Sequence, residues 1–186
     1  MKTLILSIII AGLYGCGSKG DSNSDSASSL SLIGNWKSPC MGDAGDVEMN
    51  YDSKTSTLTA SIYSDTGCQN KIMIFNEVRS YSISGENIDY TFQSVMLTII
   101  DRTTVDNCNA SQCFGKDNWA LNVSQSVAGL SVDSTSEPFN QIGSKLFQIF
   151  KLEGSGVQFG DTSGADNGST VELRPTTFDP IVLKKF

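Results

Sequence analysis

Histidine is absent from all 186 residues of this chain. That gap removes the usual general base near neutral pH, the Ser–His pairing of nucleophilic hydrolases and every imidazole metal site. Other catalytic signatures are missing too: the chain contains no Gly-x-Ser-x-Gly elbow, no Ser-x-x-Lys pair and no Walker-type phosphate loop. Glycosidase-type chemistry needs two carboxylates singled out by their setting, and the twenty acidic residues present no such pair. Basic charge is short as well. Thirteen Lys and Arg against twenty Asp and Glu leave a net charge of −7, which argues against nucleic acid and against charge-driven adhesion to anionic lipid. Long apolar runs are scarce: Leu4–Leu13, LILSIIIAGL, is about half the roughly 20 residues a membrane-spanning helix requires. No segment carries a sustained 3.6-residue apolar stripe, and no internal repeat marks a propeller or solenoid. The expectation is a protein that is not an enzyme and uses no cofactor.

What is present begins at the N-terminus. Met1-Lys2, the apolar run and the small residues that end it have the layout of a secretory signal. Leu13-Tyr14-Gly15-Cys16 resembles the bacterial lipobox, in which the residue after the cut is a cysteine that becomes acylated. The other cysteines support that resemblance. An exported chain meets an oxidising compartment, where an even set pairs, and setting Cys16 aside as a lipid carrier leaves Cys40, Cys68, Cys108 and Cys113. Three acyl chains exceed the two signals that stable anchoring requires. Gly17 follows the cysteine where an aspartate would retain the protein in the inner membrane, so by the enterobacterial rule the resemblance implies outer-membrane sorting in a bacterial envelope. The organisation expected is a signal peptide over 1–15, the lipidated cysteine with a flexible Ser/Gly/Asp-rich tether over 16–29, and one domain over 30–186.

That domain reads as strands. Val47, Met49 and Tyr51 alternate within Asp46–Tyr51, and Leu58, Ala60 and Ile62 alternate within Thr57–Tyr63. Ile88, Tyr90 and Phe92 repeat the period of two, and Val95, Leu97 and Ile99 continue it in a new frame, which places a bulge between the two sets. Further strands are expected at Ile33–Ser38, Lys71–Ile83, Trp119–Val123, Lys145–Leu152, Val157–Gly160, Thr170–Leu173 and Pro180–Lys185, with a short helical turn in Ser126–Asn140. Clusters of Gly, Asn, Asp and Ser separate them. Seven to nine antiparallel strands in sequence-adjacent order predict an all-β fold: an up-and-down barrel of about eight strands, with a β-sandwich as the alternative.

A second resemblance favours the barrel. Gly34-Asn35-Trp36 carries Gly-x-Trp at the start of the first strand, as in lipocalins and related calycin proteins. GNWKSPC (Gly34–Cys40), IYSDTGC (Ile62–Cys68), VQFGD (Val157–Asp161) and RPTTFD (Arg174–Asp179), in that order, are similar to small bacterial lipoproteins with lipocalin-like domains. The resemblance implies structural barrel closure by Gly34, Trp36 and Arg174, the Arg174 guanidinium lying over the Trp36 indole. It implies fold and location more than activity.

Cys40 and Cys68 are expected to pair across 27 intervening residues, and Cys108 with Cys113 as a local loop disulfide, although a crossed pairing such as Cys40–Cys108 stays open. The Asp161–Ser169 loop has the start of a calcium-loop pattern, but Ala165 breaks it and Gly168 misses the turn position, so a hairpin turn at Asn167-Gly168 is expected and no metal. Tyr51, Tyr63, Tyr81, Tyr90, Phe92, Phe147, Phe150 and Phe159 either line a cavity or fill a narrow barrel. Two functions follow. One is capture of a small apolar or amphipathic ligand inside the barrel, beside a bilayer reached through acylated Cys16. The other is a packed scaffold binding an envelope protein or glycan through its loops, including Cys108–Cys113 and Asp161–Ser169.

Overall fold

The computed structural model of the chain describes residues 31–42, 45–131 and 138–186. Alternating sequence becomes antiparallel strand: β1 (Gly34–Lys37), β2 (Asp46–Tyr51), β3 (Thr55–Tyr63), β4 (Lys71–Ser84) and β5 (Asn87–Ile99) are successive neighbours. The reversals are made by the residues expected to turn. At the β2–β3 hairpin the Asp52 carboxylate accepts the backbone N–H groups of Lys54 and Thr55, at 2.7 and 2.6 Å. After an insertion holding α1 (Arg102–Ser111) and β6 (Ser124–Ser126), the meander resumes with β7 (Lys145–Glu153), β8 (Gly156–Phe159) and β9 (Leu183–Lys185). β9 pairs with β1, Trp36 opposite Lys185 and Lys37 opposite Lys184. The sheet therefore closes as an eight-stranded antiparallel barrel, not a sandwich, with β6 as a flanking ninth strand. Closure satisfies the two edges an open sheet would expose.

The interior set of β5 changes frame where the sequence predicts a bulge. Ile88, Tyr90 and Phe92, then Val95, Leu97 and Ile99, are all at most 1% exposed. Val78 of β4 faces Ser94, but Arg79 faces Phe92, so one extra residue of β5 is accommodated there. Without it, every later side chain would point the wrong way. The same strand is shared along its outer edge: β7 pairs with Asn87–Thr91 and β6 with Met96–Thr98. At the β6 end the barrel is filled by the insertion, whose Val105, Phe114, Trp119 and Val127 pack with Phe75 and Leu97. A second cluster at the opposite end holds Trp36, Tyr51, Ile88 and Val157.

Several expectations fail for local reasons. Trp119–Val123 is not a strand, because the Asn109 side chain accepts the Trp119 N–H at 2.7 Å and donates to its carbonyl at 3.0 Å, occupying the groups a ladder would use. Thr170–Leu173 forms a turn in which Leu173 N–H donates to Thr170 O. β9 begins at Leu183 rather than Pro180. The described parts of 126–140 contain no helical turn; there Val127 N–H donates to Val95 O and Gly129 N–H to Phe139 O. The helix lies instead at α1, which buries only Val105 and Cys108 and so shows no apolar stripe. Its N-terminus is capped by Asp101, whose carboxylate accepts the Thr104 N–H at 2.7 Å and its hydroxyl at 2.8 Å.

Cys40 pairs with Cys68 and Cys108 with Cys113, so the crossed alternative does not occur. The first bond ties the β1–β2 connection to the β3–β4 connection at one end of the barrel. The second closes the C-terminal turn of α1. Replacing Cys40 and Cys68 together by alanine is expected to lower the unfolding free energy by about 3–4 kcal/mol, from the entropy of the loop that is released. Guanidinium unfolding of the two proteins checks this, and an unchanged midpoint would contradict it.

Candidate ligand-binding site in the barrel

Strand alternation aims a polar row into the barrel. On β4, Met73, Phe75, Glu77 and Arg79 share the inner face, and Glu77 and Arg79 are 6% and 3% exposed. Pairing register places Tyr51 of β2, Ser56 of β3, Arg79 and Phe92 of β5 side by side across four strands. Met49, Leu58, Glu77 and Val95 form the adjacent row. The Arg79 guanidinium lies 4.6 Å above the Tyr90 ring and 5.7 Å from that of Phe92. Its Nε is 3.6 Å from Glu77 Oε2, beyond hydrogen-bond length, while Glu77 accepts from Asn140 Nδ2 at 3.4 Å. Among the described residues, Arg79 Nε and Nη2 and the neighbouring Ser56 Oγ are buried without a hydrogen-bond partner. A buried unpaired group of this kind costs on the order of 1–3 kcal/mol, more when charged.

Below the guanidinium, the hydroxyls of Tyr51 and Tyr90 stand 2.5 Å apart. Both rings are buried to within 1%. Loss of solvent around the phenolate pushes Tyr51 well above the ordinary tyrosine range and Tyr90 up to about 12, although the nearby Arg79 charge pulls both the other way.

Next to this pair is a cavity of about 150 Å³. Its walls include Met49, Leu58, Arg79, Tyr90, Leu146 and Phe159. The connections supply the rest: Ser38 and Met41 beside the Cys40–Cys68 bond, and Thr162, Asp179 and Ile181 from the segment between β8 and β9. Gln148 projects inward from β7 and is fixed by donating from Nε2 to Gly160 O at 3.1 Å. Gly160 has to be glycine, since a Cβ there would stand 2.3 Å from Gln148 Oε1 and 2.6 Å from Pro175 Cβ. Asp179 accepts the Ile181 N–H at 2.7 Å; burial, then the Asp161 charge, pushes its carboxyl above the usual range. The lining is thus mostly apolar with a few fixed polar groups, the general character of a small-molecule site.

The residues expected to close the barrel occupy its seam, with one correction. Trp36 is 2% exposed in β1, and its Nε1 donates to Leu32 O at 2.7 Å. The cation over its ring is not Arg174 but Lys185, whose Nζ is 5.4 Å from the ring centre. Gly34 adopts a φ of +134°, and a Cβ there would meet Lys185 Cε at 2.9 Å, so the glycine of Gly-x-Trp makes room for the lysine stem. Arg174 lies over Phe147, donates to Gln148 O at 2.7 Å and pairs with Asp89 Oδ1 at 2.6 Å. It follows a turn in the long β8–β9 connection, so its side chain reaches β5 and β7 rather than the β1–β9 seam. Cys16 lies outside the described residues.

Of the aromatic candidates, Tyr90 and Phe159 line the cavity; Tyr51, Phe92 and Phe150 are core. Tyr63 donates to the buried Asp46 carboxylate at 2.9 Å, and Tyr81 donates to Asp52 O. The Asp161–Ser169 segment is a loop in which Asp161 and Asn167 accept the N–H groups of Ser163 and Ser169, with Gly168 at a φ of +73°. Sequence reasoning missed Glu77 and Arg79. Their signal was present: both occupy inward positions of the alternation Met73-x-Phe75-x-Glu77-x-Arg79, where a charge is costly.

No protein-family model matches the chain, and a search of curated proteins finds no match either.

The tyrosine pair predicts an alkaline limit. A tyrosine whose folded pKa exceeds its unfolded value stabilises the fold fully below the unfolded pKa and loses that contribution as pH rises through the folded one. Stability should therefore fall between pH 10 and about 12, by roughly 3 kcal/mol for Tyr90 alone. Phenolate absorbance should show Tyr51 and Tyr90 ionising only with unfolding, and free titration of both near pH 10 would contradict the arrangement.

Proposed function

We propose that this chain is a lipid-anchored bacterial envelope protein, not an enzyme, whose lipocalin-like barrel captures one small apolar or amphipathic molecule. The observation that carries the reading is the cavity of about 150 Å³ in the barrel, lined by inward strand residues and by the connections at one end. An apolar recess lined by strand residues with a few polar groups is the usual form of a small-molecule site. The polar minority in the wall supports the same reading: Gln148 is held in place by Gly160, and Tyr90 by Tyr51, so the groups facing a guest are preorganised. Two connections form the rim, one of them held by the Cys40–Cys68 bond, which suits a site that admits a guest without unfolding.

The anchor belongs to the same proposal. Cys16, acylated after removal of residues 1–15, holds the barrel beside the outer membrane through the 16–29 tether. None of the described helices is long and apolar enough to cross a membrane, and the surface charge does not favour anionic lipid. Attachment then depends on acyl chains. Metabolic labelling with radioactive palmitate should mark the protein, and Cys16→Ser should abolish the label. Persistence of label in that variant would exclude Cys16 as the acceptor.

Native mass spectrometry of the purified full chain, released from micelles in the gas phase, tests capture. The expected spectrum has a protein peak carrying one additional small molecule that is lost on collisional activation. A spectrum containing only the acylated, disulfide-bonded polypeptide mass in every preparation would overturn the capture reading and favour the loop-binding alternative.

A further inference from the structure

A buried guanidinium without acceptors is an unusual component of a barrel interior, because the cost of desolvating it is recovered only through hydrogen bonds to a counter-charge. Arg79 has few. Nε and Nη2 have no hydrogen-bond partner among the described residues, and neither does Ser56 Oγ, its direct neighbour across the β3–β4 pairing. Among the described residues the acid paired with it is Glu77, which stands 3.6 Å from Nε and whose carboxylate also serves Asn140. Tyr90 and Phe92 lie against the guanidinium at 4.6 and 5.7 Å, so the face is occupied by rings, whereas the hydrogen-bonding directions lie along its edge. Arg79 also lines the cavity. The other charged residue in the lining, Asp179, differs from it: its Oδ1 already accepts the Ile181 N–H.

We propose that the cavity takes a small carboxylate, its anion on the Arg79 guanidinium in the cavity wall and its compact apolar body among Met49, Leu58, Leu146 and Phe159. The proposal deepens the capture reading above and rests on it. Planar carboxylate and planar guanidinium match in shape as well as charge, and a hydrogen bond to a charged group is about twice as strong as a neutral one. The size of the guest follows from the volume. About 150 Å³ is the scale of a dry protein cavity that holds one benzene ring. The guest is therefore an aryl or short-chain acid with a body of roughly six carbons, not a long-chain fatty acid enclosed whole. The rings of Tyr90 and Phe92 against Arg79 and the buried tyrosine pair make this wall firm, which favours a compact guest over one that must reshape it.

Ligand-detected NMR titration of the full chain in lipid nanodiscs, with empty nanodiscs as the blank, compares benzoate and hexanoate with benzamide and hexanamide. Each acid should bind about 10- to 100-fold more tightly than its amide. Glu77→Gln with Arg79→Met removes both buried charges together and should erase that difference. Acid and amide of equal affinity in the unmodified protein would overturn the carboxylate assignment and leave capture standing. Because that comparison needs no variant, it decides the matter even if the double substitution fails to fold. Absence of binding by all four compounds overturns the assignment as well. Combined with a native mass spectrum that carries no guest, it overturns capture too.

Discussion

Two residue pairs, Trp36 with Lys185 and Lys37 with Lys184, hold the last strand of the barrel against its first. Every other property of the interior depends on that short seam. Without it, β1 and β9 would be open edges, and the inner face would have a sheet on only one side. The seam is reinforced from within and above. Trp36 is buried with its indole N–H on Leu32 O, and the Lys185 ammonium lies over its ring, a contact worth roughly 0.5–1 kcal/mol at a partly exposed site. Gly34 permits the approach of the lysine stem. Three residues from opposite ends of the chain thus form one closure device, and the Gly-x-Trp pattern has a physical meaning in this protein independent of any relative.

Closure also fixes how much space is enclosed. Eight strands leave an interior just wide enough for side chains to fill or for one small guest. Both outcomes occur in this molecule. The end near β6 is filled by the insertion after β5, and the opposite end by Trp36, Tyr51 and Ile88. Beside these clusters, Glu77 and Arg79 are buried on the inner face and a cavity remains, lined in part by the connections on the Cys40–Cys68 side. Buried ion pairs generally stabilise less than hydrophobic residues of similar volume. Under the proposed capture function, this loose pair serves binding rather than folding, and the chemistry of the guest follows from the group left unsatisfied.

The strands were legible because a half-buried barrel wall enforces period two. Even the frame change between Phe92 and Val95 could be read, since Ile88, Tyr90 and Phe92 cannot share a face with Leu97 and Ile99 unless a residue is inserted. The pairing of Cys40 with Cys68 and of Cys108 with Cys113 is the expected one, but sequence alone left a crossed pairing open, because connectivity depends on which connections the closed sheet brings together. The helix was not. It buries two side chains and is held by the Asp101 cap and a disulfide, neither of which leaves a periodic signal. Arg174 was misplaced because chain order puts it before the closing strand, while its turn directs it to Asp89 and Phe147. Arg79 was visible as a charge at an inward position, but the lack of acceptors around it is a property of four strands in register, which no single segment contains.

Amide hydrogen exchange across the seam tests closure most directly. If β9 is an integral strand, the amides of Trp36 and of Leu183–Lys185 exchange only through global unfolding, with the same free energy as the central amides of β4 and β5. Exchange in β9 orders of magnitude faster than in β4, under native conditions, would mean that the sheet is open and that no enclosed site exists.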